Sequence, residues 1–210
     1  EVGRGADFFD VEGFGADYAY TLDGDAEGEI QYENFNASTG FVTCHGVSVH
    51  TGSAKDIMVN SQTIATEFHQ MLPADERPET TEGYEGFYHL NAMSGNVTTT
   101  NMKYLIRDFD KENFDKRAEK MQEIAEVLNQ KYGEGSVEVK VTESYRNMRE
   151  KIEPCMELVD IALAAIKNVG LEPNLGTGGH AFHGVFEHIT VEGMDLGVKI
   201  VKDIVRQIAE

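Results

Sequence analysis

The sequence predicts an α/β protein in which one compact module is inserted into a second domain. Over residues 36–144 the patterns read as strand, helix, strand, strand, helix, strand, which is the order of the split βαβ arrangement of ferredoxin-like domains. Residues 1–35 and 145–210 carry further helical and strand patterns. We therefore expect a ferredoxin-like βαββαβ module at 36–144, inserted into a partial α/β domain made of residues 1–35 and 145–210.

The strands and first helix of this arrangement follow from periodicity. Residues 17–23 and 29–34 alternate as strands do, and a β-rich run over 36–49 is interrupted near Gly46. Helical spacing of apolar residues then predicts a helix over 54–72, with Ser53 and Asp56 as a capping box and an apolar stripe made of Ile57, Ile64, Phe68 and Met71.

A polar loop at 73–85 leads into two predicted strands, about 86–97 and 101–109. A long helix at about 111–131 is predicted by its stripe of Phe114, Ala118, Met121, Ala125 and Leu128, with Gly133 at its end. A strand at 136–144 completes the module. Two more helices are expected, at about 154–169 and at about 192–209, the second with Met194, Val198, Val201, Val205 and Ile208 on one face.

The charge balance excludes some classes of partner. The chain has 18 basic and 37 acidic residues, a net charge of −19, which argues against nucleic acid and against an anionic membrane surface. No stretch approaches the roughly 18 apolar residues of a membrane span. The given sequence, which starts at Glu1, shows no secretory apolar segment, and we expect none. Cys44 and Cys155 fit no paired motif. Two free thiols favour a reducing compartment, so we expect a cytoplasmic protein.

Two segments could ligate a metal ion. Asp23 to Ile30 imitates the start of a calcium-binding EF-hand loop, but Asn34 stands where a bidentate Glu belongs, and an acidic hairpin is the simpler interpretation. Residues 178–188 contain His180, His183 and His188 beside flexible glycines, which suits a metal ligand on a loop, although a single histidine is more often structural.

Two residues of the inserted module could bind an anionic or carbonyl group. His50 lies between a predicted strand and a predicted helix start, where a neutral imidazole and backbone N–H groups could hold a carbonyl or carboxylate. Arg107 lies on a predicted strand and suits either a surface ion pair or a bidentate carboxylate clamp. The residues alone do not decide between these interpretations.

Several stretches resemble the peptidase T family in the right order along the whole chain. They are EVGRGADFFDVEGFGADYAYTLDG (1–24), EIQYENFNA (29–37), VHTGSAKDIMVN (49–60), PADERPETTEGYEGFYHL (73–90), YLIRDFD (104–110), YRNMRE (145–150) and GGHAFHGVFEHITVEGM (178–194). The resemblance implies a di-zinc aminopeptidase that acts on tripeptides, with a catalytic α/β domain and an inserted ferredoxin-like lid or dimerisation domain. It also implies a short peptide substrate and a homodimer formed through the inserted domain.

The resemblance also implies roles for particular residues. Glu1, Asp23 and His183 match zinc ligands, while His50 and Arg107 match lid residues that bind the substrate carbonyl and the C-terminal carboxylate. The general-base Glu is expected directly before Glu1, and the other His ligand and the bridging Asp further upstream, so no catalytic residue lies in this sequence.

A segment of the family is also missing at Asn174-Leu175. Two rival hypotheses stay open at this stage. One is a non-catalytic dimerisation or lid module, and the other is an acidic calcium-binding protein built on residues 23–34.

Overall fold

The computed structural model describes residues 8–22, 28–173 and 191–209. Two compact units divide the chain: Ile30–Asp160 is one, and Glu1–Glu29 with Ile161–Glu210 is the other. In chain order the elements are α1 (Val11–Phe14), β1 (Asn36–His45), α2 (Ser61–Met71), β2 (Phe87–Gly95), β3 (Thr99–Asp108), α3 (Lys111–Tyr132), β4 (Val137–Tyr145), α4 (Arg149–Ile152), α5 (Met156–Asn168) and α6 (Val191–Ala209).

The unit Ile30–Asp160 contains a four-stranded antiparallel sheet. Its strand order is β2-β3-β1-β4, with α2 connecting β1 to β2 and α3 connecting β3 to β4. β1 and β3 form the centre of the sheet, and β2 and β4 form its edges. This order and connectivity are those of a ferredoxin-like domain, so the predicted α/β class and βαββαβ module are confirmed.

One face of the sheet is covered by α2 and α3, and the core lies between them. Strand residues with even numbers in β1 and β3 point to this face, and the core is completed by helix residues; its largest fully buried members are Tyr104, Phe68, Ile64, Ile106, Met121, Ile124 and Leu128. Cys44 lies in this core as a free thiol, and burial raises the pKa of Cys44 to about 11. The thiol therefore stays protonated and unreactive near neutral pH.

The predicted long helix is confirmed as α3, Lys111–Tyr132. The Asp110 side chain accepts a hydrogen bond from the Asn113 N–H and so caps the first turn. Gly133 follows the last turn with φ +111°, a conformation that favours glycine. The buried residues of the helix are Phe114, Met121, Ile124, Ala125 and Leu128, so the predicted apolar stripe is the face that packs on the sheet.

The predicted start of the first module helix is wrong. α2 begins at Ser61 and is capped by Asn60, whose side chain accepts from the Gln62 N–H. The proposed capping box does not form, because Ser53 closes a short 3-10 helix and Asp56 has a φ of +60°. A bridge between Val47 and Val59 holds this segment as a loop, which prevents a helix from starting at residue 54.

The two strands predicted before the module are also wrong within the described residues. Residues 18–22 and 30–35 form no strand, and residue 29 takes part only in an isolated bridge. Alternating apolar residues favour a strand only when a neighbouring strand accepts its hydrogen bonds. The strands β1 to β4 pair with one another and leave these segments out.

In the other unit, polar side chains connect α5 and α6. The Asn168 side chain donates to Asp203 at 2.8 Å, and the Gln207 side chain donates to the Ile161 carbonyl at 3.3 Å. The predicted apolar stripe of the last helix is present, but its members Met194, Val198, Val201, Val205 and Ile208 are all exposed. Of the helices in the described residues, none is long and apolar enough to cross a bilayer.

A buried ion-pair network attaches the 73–86 loop to the sheet. The Arg117 Nε donates to Asp108 Oδ2 at 2.7 Å, its Nη1 donates to Glu76, and its guanidinium lies 5.0 Å from the Tyr88 ring centroid. Burial alone would lower the pKa of Arg117, but the hydrogen bonds to Asp108 and Glu76 outweigh it and raise that pKa. The guanidinium therefore stays charged and stabilises the Asp108 carboxylate, which is only 4% exposed.

Three asparagines, Asn34, Asn36 and Asn147, join the segments by which the chain enters and leaves the module; we call them the asparagine clasp. The Asn36 side chain donates to the carbonyls of Asp108 and Phe109 and accepts from the Asn147 N–H, at 2.9 to 3.1 Å. The Asn147 side chain accepts from the Asn34 N–H, and the Asn34 side chain accepts from the Met148 N–H. The ends of β1, β3 and β4 are thereby fixed to one another.

We predict that Arg117→Met destabilises the protein by about 3–5 kcal/mol, because it leaves the Asp108 carboxylate buried without a partner. Urea unfolding followed by circular dichroism measures this. Lys116→Met, the neighbouring residue in α3, is the matched control: its ion pair with Glu112 is exposed, so it should lower the unfolding free energy far less than Arg117→Met does. Equal effects of the two substitutions would contradict the assigned role of the network.

We also predict that Asn36→Ala costs about 2–3 kcal/mol of unfolding free energy, because it leaves two carbonyls and one N–H without their hydrogen-bond partners. Asn101→Ala on the neighbouring strand removes only an exposed contact with Thr43, and it should be nearly neutral. The same unfolding measurement compares them. A cost below about 0.5 kcal/mol for Asn36→Ala would show that the clasp does not hold the strand ends together.

Candidate substrate-binding residues

Arg107 lies on the face of the sheet that α2 and α3 leave uncovered. The strand register places Phe87, Arg107, Ala37 and Tyr145 in one row that crosses all four strands. This row is at the end of the sheet where the asparagine clasp joins β1, β3 and β4. The side chain of Arg107 therefore starts from a strand end that is fixed by these hydrogen bonds.

The guanidinium of Arg107 is held without an ion pair to any described carboxylate. Its Nη1 donates to the carbonyls of Ser38 and Ile106, at 3.3 and 2.9 Å, and its central carbon lies 5.7 Å from the Tyr145 ring centroid. By contrast, Arg117, Arg146 and Arg149 each form an ion pair with a carboxylate. A half-buried, unpaired guanidinium at the surface of an acidic protein can accept a carboxylate in bidentate geometry.

An aromatic cluster borders this row on the β2 side. The Phe35 ring centroid lies 5.6 Å from that of Phe87 and 4.1 Å from that of Phe109, and the Tyr84 ring lies 4.7 Å from that of Phe109. Gly86 sits so close to Asp108 that a Cβ there would lie 2.1 Å from its carboxylate. The stretch from Tyr84 to Phe87 thus packs against the end of the sheet that carries Arg107.

His50 is exposed at the start of the short 3-10 helix that follows β1. Its Nδ1 accepts a hydrogen bond of 3.1 Å from the Gly52 N–H, so in the neutral imidazole the proton is on Nε2. A Cβ at Gly52 would lie 3.2 Å from the His50 ring, so glycine permits this close approach. The Nε2–H is then available to donate to a carbonyl oxygen.

The structure does not bring His50 and Arg107 to the same end of the sheet. Arg107 pairs with Ala37 near the first residue of β1, whereas the loop that carries His50 begins after the last residue, His45. Eight residues of strand separate these points, which is about 27 Å at ~3.4 Å per residue. The carbonyl of the first residue of a tripeptide and its C-terminal carboxylate are only about 7 Å apart.

The predicted metal ligands Glu1, Asp23 and His183 lie outside the described residues, as do the start of the EF-hand-like segment and the histidine cluster at 178–188. Within the described ranges, no group of three His, Cys, Asp or Glu side chains could hold a metal ion.

Tyr145 and Asn36 are parts of this region that the sequence analysis did not single out. Their only signal was their place in two of the family-like stretches, EIQYENFNA and YRNMRE. Neither side chain has a chemistry that marks a site by itself. Their importance follows from strand register, which a single sequence does not reveal.

Comparison with known proteins begins with a family model. The model described as a peptidase dimerisation domain matches residues 32–136, which is half of the chain. Peptidase T of Clostridium novyi (strain NT) is 49% identical over 227 aligned residues, which cover 98% of this chain and 56% of the relative. The chain thus spans little more than half the length of that relative. The predicted resemblance to peptidase T is confirmed along the chain.

Solved structures show the same fold. The aminopeptidase PepT from Bacillus cereus ATCC 10987 superposes with a TM-score of 0.79 at 22% identity, over 98% of this chain and 61% of that one. A tripeptidase from Staphylococcus aureus subsp. aureus Mu50 gives 0.81 at 19% identity, over 98% and 60%. At these identities the likeness establishes the fold alone. Since the family model matches half of its residues, the chain belongs to the family of the peptidase dimerisation domain.

Proposed function

We propose that this chain is the lid and part of the catalytic domain of a zinc metallo-aminopeptidase that releases the N-terminal residue from tripeptides. The lid is the inserted module of residues 36–144, and residues 1–35 and 145–210 belong to the catalytic domain. Similarity to peptidase T over 98% of the chain supports the class of enzyme. The observation that supports a peptide substrate with a free C-terminus is the state of Arg107. Its guanidinium is held in place by two hydrogen bonds and has no ion pair among the described residues.

Arg107 would bind the C-terminal carboxylate of the peptide. A charge-assisted bidentate pair is stronger than a neutral hydrogen bond, and its planar geometry fixes the position of the carboxylate. A clamp at a fixed distance from the reacting carbonyl works as a ruler: it favours tripeptides, because a longer chain carries its carboxylate beyond Arg107. His50 would donate its Nε2–H to the carbonyl that is attacked.

Zinc is part of this proposal, with Glu1, Asp23 and His183 as ligands and the general-base Glu just before Glu1. Carboxylate and imidazole groups are ordinary zinc ligands. Zinc, when bound, supplies a Lewis acid that activates water for attack on the peptide carbonyl. This chain's own contribution in the described residues is to bind and orient the peptide through Arg107 and His50.

The proposed partner is a second copy of the chain. Arg107 pairs with Ala37 near the start of β1, whereas His50 follows the end of β1. Ala37 and His45 are about 27 Å apart along the strand, and a tripeptide is far shorter than this. If both residues contact one substrate, a homodimer through the inserted module can supply them from two chains. The match to a peptidase dimerisation domain supports this arrangement.

We also propose a cytoplasmic location. Cys44 and Cys155 are free thiols, and Cys44 is buried in the core of the module. Free thiols are stable in a reducing compartment.

The alternative function, a non-catalytic dimerisation or lid module, predicts the same fold but neither zinc binding nor peptide hydrolysis in the complete protein.

We predict that Arg107→Ala in the complete enzyme lowers kcat/KM for free tripeptides by about 30-fold or more, the effect of losing roughly 2 kcal/mol or more of charge pairing. C-terminally amidated tripeptides lack the charge and should change little. Lys103→Ala is the matched control, a cation on the same face and strand. Steady-state kinetics with both substrates measure this. An equal loss for free and amidated peptides would rule out the carboxylate clamp.

The shared-site arrangement predicts complementation between variants. His50→Ala and Arg107→Ala enzymes should each be weak, but mixed dimers contain one site with both residues intact. Denaturing and refolding an equimolar mixture should then restore up to about a quarter of wild-type activity, since half the dimers are mixed and each has one intact site. The control is each variant refolded alone. Activity of the mixture that equals the mean of the two variants would contradict a site built from two chains.

A further inference from the structure

We propose that Tyr145 is a positioning residue that orients the Arg107 guanidinium for its carboxylate ligand. The identity of that ligand rests on the function proposed above, whereas the contact between Tyr145 and Arg107 does not. The guanidinium carbon lies 5.7 Å from the Tyr145 ring centroid, within the ~6 Å range of a cation–π interaction.

A β-bulge brings Tyr145 to this position. In the pairing of β1 with β4, Ser38 is opposite Glu143 but Ala37 is opposite Tyr145, so Ser144 is the extra residue. Without the bulge, Tyr145 would project to the same face as the core residue Val137, because side chains alternate along a strand. The bulge shifts Tyr145 to the uncovered face, where Arg107 lies, and re-aiming a side chain is a common role of bulges.

Ala37 makes the contact possible because it lies between the two residues in the row. β1 runs between β3 and β4, so the side chain of Arg107 must pass over Ala37 to reach the Tyr145 ring. Ala37 is fully buried, and a longer side chain there would occupy the space between guanidinium and ring. Small size at this position is therefore required by the geometry of the row.

The guanidinium is held from two directions, and one edge is left for a ligand. Its Nη1 donates to the carbonyls of Ser38 and Ile106, and its central carbon lies 5.7 Å from the Tyr145 ring centroid. Neither Nε nor Nη2 of Arg107 has a partner among the described residues. An arginine whose rotamer is already fixed loses less conformational entropy when it binds, so Tyr145 should raise affinity for a carboxylate.

The asparagine clasp fixes the ring in turn. The Asn147 N–H, two residues after Tyr145, donates to the Asn36 side chain at 2.9 Å. Asn36 is the residue before Ala37 and also bonds the carbonyl that follows Arg107, that of Asp108. Ala37 is thus adjacent to Asn36, and Arg107 and Tyr145 each lie within two positions of a group that is hydrogen-bonded to the Asn36 side chain.

The test uses the whole 210-residue chain and NMR signals of the arginine Nε–H groups, so it needs no enzyme activity. Wild type is compared with Tyr145→Phe, which keeps an aromatic ring, Tyr145→Leu, which removes it, and Tyr18→Leu, a similarly exposed tyrosine (49% against 48%). Each protein is titrated with trialanine and with trialanine amide. The buried, ion-paired Arg117 is the internal reference, and urea unfolding checks that every variant is folded.

We expect the Arg107 signal to carry a ring-current shift that Tyr145→Phe keeps and Tyr145→Leu abolishes. Trialanine, and not its amide, should perturb the Arg107 signal, and Tyr145→Leu should weaken trialanine binding about two- to five-fold, the size of an exposed cation–π contact. Tyr145→Phe and Tyr18→Leu should bind as wild type does.

An unchanged Arg107 shift and unchanged trialanine affinity in a folded Tyr145→Leu variant would overturn the positioning role. If only the proposed function is wrong, trialanine and its amide would perturb the Arg107 signal of the wild type equally. The ring-current shift of that signal would still depend on Tyr145.

Discussion

At the end of the sheet that carries Arg107, one buried amide is bonded to two other segments of the chain. The Asn36 side chain bonds the carbonyl of Asp108 at the end of β3, the next carbonyl and one N–H after β4, and Asn36 itself begins β1. An amide suits this position because it donates and accepts at once, which neither an apolar side chain nor a carboxylate can do. The row of Ala37, Arg107 and Tyr145 depends on these bonds for its alignment.

A second constraint, next to the Asn36 hydrogen bonds, is the buried ion pair of Asp108 with Arg117. The carboxylate of Asp108 is adjacent to Arg107 in sequence but points to the opposite face, where Arg117 neutralises it. Because side chains alternate along β3, Asp108 points to the face covered by α3 and Arg107 to the opposite face. Arg117 of α3 is buried and paired with Asp108, whereas Arg107 is half-buried and has no described carboxylate partner. In a protein of net charge −19, the Arg107 guanidinium has no carboxylate partner among the described residues, and a carboxylate ligand could bind there.

Much of the module could be predicted from sequence, for definable reasons. The apolar stripe of α3 and its caps, Asp110 and Gly133, act locally, so periodicity gave helix bounds within one residue. The start of α2 was not predictable, because the bridge between Val47 and Val59 is a contact that no local pattern shows. For the same reason the segments 17–23 and 29–34 looked like strands although β1 to β4 do not pair with their described residues.

For the candidate site, the sequence predicted Arg107 and His50 but neither Tyr145 nor Asn36. The chemistry of Arg107 and His50 suggested an anion site, but their separation along β1 and the role of Tyr145 depend on register and a bulge.

The central claim is that Arg107 selects peptides by length because it binds their C-terminal carboxylate. Its most direct test is kcat/KM of the complete enzyme for dialanine, trialanine and tetraalanine. The account predicts a sharp maximum at trialanine; equal values for trialanine and tetraalanine would contradict it.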